Sequence, residues 1–256
     1  MGGSLRRAVY RAHFLVACVV GAAVFLGLSV AGILFAALVP PWRKRAPHVF
    51  ARAFAWTMQG VLGWRIVVEG RERLAASAPA VFAVTHQSNL DIVAYGTTFP
   101  PRTAVVGKLE VRKIPLFGWF FAATGNILID RGNRDRAHAT IARAAERIRS
   151  ERLSVWMFPE GHRNQRPELL PFKKGAFHLA LAARVPVVPI ASDPIATVLD
   201  GHRMFVRPGT LRVRVLPPVP TEGRDEGDVD GLLEDVRAAL QRSRDELAAS
   251  ARAPIA

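Results

Sequence analysis

Apolar residues form two long stretches at the start of the chain and many short stretches after residue 65. Residues 12–42 contain no Asp, Glu, Lys or Arg, and about 20 apolar residues are enough for a helix to cross a bilayer. Residues 46–64 are also apolar, with one charged side chain. They predict a second helix, which lies either at the bilayer interface or against the rest of the protein.

Beyond residue 65, short stretches rich in β-branched residues alternate with helical patterns. The predicted strands are residues 65–69, 80–85, 103–107, 126–129, 154–158, 185–190 and 211–216, and the predicted helices are 88–98, 112–124, 134–151, 173–183 and 229–248. Such alternation predicts an α/β fold with a mostly parallel sheet flanked by helices, preceded by an N-terminal membrane-embedded helical segment. The chain therefore divides into N-terminal membrane-anchoring helices (1–64), an α/β domain (65–220) and an acidic amphipathic C-terminal helix (221–256).

Basic residues flank the first apolar stretch on both sides. They are Arg6, Arg7 and Arg11 before it, and Arg43, Lys44, Arg45 and Arg52 after it. The larger second cluster favours a cell-membrane protein with its α/β domain on the cytoplasmic side, since cytoplasmic flanks carry the excess of positive charge. Both a spanning helix and a hairpin that bends near Gly27 or Gly32 fit this pattern.

Net charge narrows the classes of partner. The formal charge of +14 predicts anionic partners, either nucleic acid or a phospholipid surface. The apolar start of the chain favours lipid, and the sequence has no RRM, zinc-finger or KH signature. Half of the residues are apolar, which excludes intrinsic disorder. The single cysteine, Cys18, excludes a disulfide scaffold, and its place in the apolar stretch argues against a cysteine nucleophile.

The first candidate for chemistry follows the predicted strand 80–85. His86 stands at the carboxyl end of that strand, where open α/β sheets place their ligands. Ser88 can cap the next helix, and Asp91 one turn inside that helix can reach back to the imidazole. A carboxylate bound to one ring nitrogen raises the basicity of the other, as a general base requires. The alternative is a capping box, in which Asp91 only satisfies backbone N–H groups.

Further polar residues follow other predicted strands, at the same edge of the sheet. Lys108 and Arg131 each come just after a strand, and cationic side chains of these types bind phosphate. Glu160 and Arg163 are displayed by a turn that Gly161 permits; the alternative there is a solvated ion pair. The apolar residues 114–121 predict either a core helix or a wall for an acyl chain.

Taken together, these blocks resemble the glycerophospholipid acyltransferase family, most closely the bacterial 1-acyl-sn-glycerol-3-phosphate acyltransferases. The blocks are His-Gln-Ser-Asn-Leu-Asp at 86–91, Gly-Lys-Leu-Glu at 107–110 with Ile-Pro at 114–115 and Gly-Trp at 118–119, Ile-Asp-Arg at 129–131, Phe-Pro-Glu-Gly-His-Arg at 158–163, Leu-Pro-Phe-Lys-Lys-Gly-Ala-Phe-His at 170–178 and Val-Pro-Val-Val-Pro-Ile at 185–190. The chain departs from the family at His162, where Thr or Ser is usual, and this departure bears on the choice of acceptor.

The resemblance implies a 1-acylglycerol-3-phosphate O-acyltransferase that takes an acyl group from acyl-CoA or acyl-carrier protein and forms phosphatidate. Catalysis would fall to His86 and Asp91, and the substrate-binding residues would be Lys108, Arg131, Glu160, Gly161 and Arg163. No metal and no cofactor is expected. The expected partners are membrane phospholipid, lysophosphatidate and the acyl donor, without nucleic acid.

Two other functions stay open at this stage. One is the same chemistry on another lyso-lipid or on glycerol-3-phosphate. The other is a non-catalytic module that binds anionic lipid or nucleic acid. The sequence leaves the acyl chain length, the type of donor and the oligomeric state undetermined.

Overall fold

The computed structural model describes residues 3–39, 43–130, 132–200 and 203–252. Its strands are β1 (Trp64–Glu69), β2 (Val81–Val84), β3 (Thr103–Lys108), β4 (Ile127–Ile129), β5 (Ser154–Met157), β6 (Val187–Ser192), β7 (Leu199–Asp200), β8 (Phe205–Val206) and β9 (Gly209–Val215). Its helices are α1 (Gly3–Leu38), α2 (Ala46–Leu62), α3 (Glu72–Ala76), α4 (Asp91–Tyr95), α5 (Phe117–Ala123), α6 (Arg134–Glu151), α7 (Gly175–Ala183) and α8 (Val229–Arg252).

Seven strands form one sheet in the order β1-β9-β6-β2-β5-β3-β4. The five strands from β6 to β4 are parallel to one another, and β9 and β1 run the opposite way at one edge. The predicted α/β fold with a mostly parallel sheet is therefore confirmed. Since β2, β3, β4 and β5 are parallel, the residues that follow them meet at one edge of the sheet.

Helices cover both faces of the sheet because its central strands are buried on both sides. On β2, Val81 and Ala83 face the core formed with α6, α7 and α8. Phe82 and Val84 point the other way, toward the core that includes Tyr95 of α4. The C-terminal helix α8 is thus part of the sheet's packing, with Leu240 fully buried.

Helix α1 is continuous from Gly3 to Leu38, so of the two alternatives left open it matches an uninterrupted helix and not a hairpin that bends near Gly27 or Gly32. Its inner side packs on α2 and α5: Ala17 joins the cluster of Met58, and a Cβ on Gly32 would meet the ring of Phe120. Its outer side exposes apolar residues, namely Val9, Leu15, Val16, Val19, Leu26, Val30, Leu34, Phe35 and Leu38. Within the described residues, the 32-residue stretch Arg7–Leu38 is long and apolar enough to cross a membrane.

Proline residues account for the main errors in the predicted helices. The predicted helix 112–124 is a 3-10 turn, Leu109–Lys113, followed by α5, because Pro115 interrupts the pattern. The predicted helix 88–98 is only α4, which ends before Pro100 and Pro101. The short elements α3, β7 and β8 were not predicted, since two to five residues carry too little periodicity.

Candidate active site

The candidate catalytic pair is formed as predicted, at the carboxyl end of β2. Nδ1 of His86 lies 2.6 Å from Oδ2 of Asp91. The same oxygen accepts the backbone N–H of Gln87 at 2.8 Å, and Oδ1 accepts that of Ser88 at 3.0 Å. The contacts of both interpretations are present, because one carboxylate binds the imidazole and also accepts the backbone N–H groups just before α4; the catalytic role of the pair stays a prediction. Asp91 is the first residue of α4, not one turn inside it as expected.

Burial shifts the pKa of Asp91 in this pair. Asp91 is 4% exposed, and this burial raises its pKa. Hydrogen bonds from His86 and from the two backbone N–H groups oppose the rise, since they stabilise the charged carboxylate. With the carboxylate as acceptor, Nδ1 of His86 carries the proton and Nε2 is the basic nitrogen. The imidazole is 24% exposed and stacks on Phe158, with ring centroids 4.1 Å apart.

Glu160 lies beneath the pair rather than on the surface of a cavity. Its residue is 1% exposed, its Oε1 accepts the backbone N–H of His86 at 3.4 Å, and its Oε2 accepts Nδ2 of Asn164 at 3.0 Å. The N–H of Leu170 also donates to Oε2. The expectation that Glu160 lines the glycerol pocket is therefore corrected. Its buried carboxylate is fully engaged in joining the His86 loop to the loop after β5.

Gln87 anchors the other side of the same loop, a contact that the sequence analysis missed. Its side-chain N–H donates to Oγ of Ser192 at 2.9 Å, and its side-chain oxygen accepts the N–H of Ile195 at 3.0 Å. The only signal in the sequence was a polar residue between the buried β2 and a helix. The His86 loop is thus held between the turn after β5 and the end of β6.

A polar cavity of about 780 Å³ opens beside the ends of β3 and β5. Its basic lining side chains are Lys108, His138, His162, Lys173, Lys174 and His178. Lys108 is exposed at the end of β3, as expected of a phosphate-binding residue. Gly161 lines the cavity too, and its φ of +73° is a conformation that favours glycine. The sequence analysis assigned no role to the basic residues of α6 and of the start of α7.

An apolar cavity of about 340 Å³ lies on the other side of Phe158, and His86, Ser88, Asn89 and Asp91 line its polar end. Its walls are mostly aromatic, from Phe25, Phe50, Phe99, Phe117, Phe120, Phe121, Trp156 and Phe158. Within residues 114–121, Phe120 and Phe121 are buried and also line this cavity, which fits both alternatives; a wall for an acyl chain stays a prediction. Phe158, on which His86 stacks, lines both cavities.

The remaining predicted residues lie near this junction or outside the described part of the chain. Arg163 is exposed and donates from Nη1 to the side-chain oxygen of Asn89, at the polar end of the apolar cavity. Arg131 lies outside the described residues. Lys108 therefore lines the polar cavity, whereas Arg163 contacts a residue that lines the apolar one. Among the described residues, no group of three or more His, Cys, Asp or Glu side chains is arranged to hold a metal ion.

Comparison with known proteins decides the family. The model of the family described as Acyltransferase matches residues 65–193, which include the His86 and Asp91 pair and both strands beside it. The chain belongs to the acyltransferase family.

Individual relatives agree with this assignment. The acyltransferase described here is 38% identical to an uncharacterized acyltransferase of Schizosaccharomyces pombe, over 78% of its own chain and 72% of the relative. It is 36% identical to the 1-acyl-sn-glycerol-3-phosphate acyltransferase of Saccharomyces cerevisiae, over 75% and 64% of the two chains. The Escherichia coli protein of that name is 38% identical over 66% and 68%.

One solved structure shares the fold over nearly the whole acyltransferase chain. It is the 1-acyl-sn-glycerophosphate acyltransferase of Thermotoga maritima, with a TM-score of 0.73, 24% identity, and coverage of 95% of this chain and 97% of the other. The shared fold includes the N-terminal helices, since so little of the chain is left unmatched.

Proposed function

We propose that this acyltransferase moves an acyl group from an acyl thioester to the sn-2 hydroxyl of 1-acylglycerol-3-phosphate, giving phosphatidate. The observation that carries the proposal is the place of His86, which lines the apolar cavity and stacks on Phe158, a residue shared with the polar cavity. A lysophosphatidate has the matching two ends, a phosphate and an acyl chain. The names of the Saccharomyces cerevisiae and Escherichia coli relatives support the same substrate.

In this mechanism Nε2 of His86 takes the proton of the hydroxyl while its oxygen attacks the thioester carbonyl carbon. The new C–O bond forms, the C–S bond breaks, and the imidazolium returns the proton to the departing thiolate. A positioned base of this kind contributes about 10²–10⁴-fold in rate. Asp91 stabilises the imidazolium and fixes its orientation through the 2.6 Å contact.

Binding of the acceptor follows the chemistry of the two cavities. Lys108 and the neighbouring basic side chains of the polar cavity bind the phosphate, and Gly161 shapes the turn beside it. Arg163 and Arg131 add to the phosphate site in the proposal drawn from the family resemblance. The acyl chain lies in the apolar cavity, where each buried CH₂ is worth about 0.8 kcal/mol.

Acyl donor and acceptor supply every atom of the product, so the proposal includes no metal and no cofactor. The exposed apolar side of α1 supports a location at the membrane, where lysophosphatidate resides. The basic residues after the first apolar stretch favour the cytoplasmic side for the α/β domain.

A direct assay tests this function. Purified full-length protein receives labelled lysophosphatidate with acyl-CoA or acyl-carrier protein, and the lipid product is identified. We expect phosphatidate from the wild type and only background from His86→Ala. A second acceptor, glycerol-3-phosphate, is assayed in parallel, because His162 lines the polar cavity where the family usually has Thr or Ser. Turnover of that acceptor alone would overturn the proposed substrate and keep the chemistry.

A further inference from the structure

A third cavity, of about 410 Å³, lies at the opposite edge of the sheet from the catalytic pair. We name it the basic cavity for its charged lining, which is His48, Arg52, Arg71, Arg102 and Arg152. Arg102 precedes β3 and Arg152 precedes β5, whereas Lys108 ends β3 and Phe158 follows β5. The six residues of β3 extend about 20 Å at the usual rise per residue. The arginines of the basic cavity therefore lie at the other edge of the sheet from His86, and Phe99 lines both this cavity and the apolar one.

Among the described residues, no carboxylate is found to pair with the arginines of the basic cavity. Arg52 and Arg71 both donate to the carbonyl oxygen of Thr97, at 3.0 and 3.2 Å. Arg102 donates to the carbonyl oxygen of Glu151, whereas the carboxylate of that residue pairs with Lys44 and Arg147. Carbonyl oxygens carry no formal charge, and none of the described residues that line the cavity is Asp or Glu. Two guanidinium groups are thus held close together without a counter-ion.

Two of these arginines occupy unusual backbone positions. Arg102 has a φ of +53° and Arg152 a φ of +49°, both in the left-handed region that favours glycine. Arg152 ends α6, at a position where glycine is the common residue. Among the residues that the structure describes, no hydrogen-bond or ion-pair partner is found for its guanidinium. The chain therefore places arginine where folding alone favours glycine.

The surroundings of Arg52 indicate the kind of anion. On α2, Val49 and Trp56 lie three residues before and four residues after Arg52, on the same side of the helix. Val49 is 56% exposed and Trp56 is 76% exposed. Exposed Trp beside basic residues is typical of the membrane–water interface. Inorganic phosphate makes no contact with these exposed apolar side chains, whereas the acyl chains of a phospholipid can pack on them.

We propose that the basic cavity binds the phosphate of an anionic phospholipid and so fixes α2 at the membrane surface. The forked guanidinium groups of Arg52 and Arg71 hold the phosphate oxygens. The glycerol and acyl chains of the lipid leave the cavity along Val49 and Trp56. This site adds to the proposed function and does not depend on it.

The test measures thermal unfolding of the full-length protein in detergent, without acyl donor, as dioctanoyl phosphatidylglycerol is added. Ligand that binds only the native state stabilises it by RT ln(1 + [L]/Kd), so Tm rises as lipid is added. We expect the wild type to respond, and Arg52→Gln with Arg71→Gln to need at least about tenfold more lipid for the same rise. The matched control, Arg143→Gln with Arg242→Gln, removes the same charge from exposed positions of α6 and α8 and should respond like the wild type.

Three further measurements separate the alternatives. Dioctanoyl phosphatidylcholine, which has no net charge, should give a much smaller shift. Inorganic phosphate that matches and displaces the phosphatidylglycerol would overturn the lipid as ligand, and an unchanged response of the double variant would overturn the site. If that variant fails to fold, Arg152→Gln replaces it, with a several-fold weaker response expected. Loss of the response in Lys108→Gln would place the lipid in the polar cavity and also overturn the proposal.

Discussion

Replacing Asp91 by Asn should damage both the rate and the stability of this acyltransferase, because its carboxylate accepts three hydrogen bonds. Oδ2 accepts hydrogen bonds from Nδ1 of His86 and from the backbone N–H of Gln87, and Oδ1 accepts one from the backbone N–H of Ser88. An amide has one oxygen, so its NH₂ must face a donor in either orientation. If the NH₂ faces Ser88, the backbone N–H of that residue loses its acceptor. If the NH₂ faces His86, the backbone N–H of Gln87 loses its acceptor and the imidazole must also change its tautomer.

The size of both effects can be worked from these contacts. One buried donor without a partner costs about 1–3 kcal/mol. For a chain of this length, about 1 kcal/mol corresponds to a Tm change of about 2–4 °C, so we expect a fall of about 2–12 °C. The rate should fall by most of the contribution of a general base, about 10²–10⁴-fold in kcat.

The assay compares kcat with saturating donor and acceptor against the thermal melting curve. His86→Ala is the key comparison, because it removes the base and leaves Asp91 bound to Gln87 and Ser88. It should abolish turnover with a smaller change in Tm than Asp91→Asn. Asp245→Asn, an exposed residue of α8, controls for the loss of one charge. A variant Asp91→Asn that melts early but keeps its kcat would refute the catalytic role and leave only the capping role.

Three other predictions follow from the site and from the packing of α1. Lys108→Ala should raise the acceptor KM by about tenfold while the donor KM changes little, because a charge-assisted contact is worth about 1.5–3 kcal/mol and Lys108 is exposed. Steady-state kinetics with each substrate varied in turn measures both KM values. An equal rise in both would contradict the assignment of Lys108 to the acceptor site. Gly32→Leu should lower the Tm of the detergent-extracted protein, since even a Cβ at this position meets the ring of Phe120. Gly27→Leu is the control, because its Cβ has open space. Equal melting curves for the two variants would contradict the packing of α1 on α5. Burial lowers the pKa of His178, and the nearby His138 lowers it further. The unfolded chain therefore binds more protons just below pH 6.5, and the stability of the protein should fall as the pH drops through that range. His178→Gln should show a shallower fall in Tm between pH 7 and pH 5.

The sheet could be predicted from the sequence because its strands are buried on both faces. Each β-branched run bounded by turn residues, such as residues 154–158, became a strand within two residues of its predicted ends. Helix boundaries were less certain where proline intervened, as in the division of residues 112–124 by Pro115. The short ribbon of β7 and β8 has no periodic pattern at all, so only the packed chain defines it.

The position of His86 and Asp91 was also predictable, since one follows a buried strand and the other is five residues further along. The orientation of Glu160 was not. An acidic residue after a strand reads as a residue that faces solvent or substrate, because burial of a lone carboxylate is costly. Here the cost is offset by donors that lie far away in sequence, Asn164 among them, together with the N–H of Leu170 and that of His86 itself.

The backbone of the loop at residues 86–88 is held by two buried carboxylates, those of Asp91 and Glu160. His86 can act as a base only if its ring is fixed, and a loop after a strand is mobile unless its backbone groups are bound. Asp91 binds the loop from the helix side, and Glu160 binds it from the turn after β5. Asp91 accepts the backbone N–H groups of Gln87 and Ser88, and Glu160 accepts that of His86 through one of its two oxygens. The loop's conformation and the orientation of the base therefore depend on the same few hydrogen bonds, so a substitution that releases one of these N–H groups must disturb both.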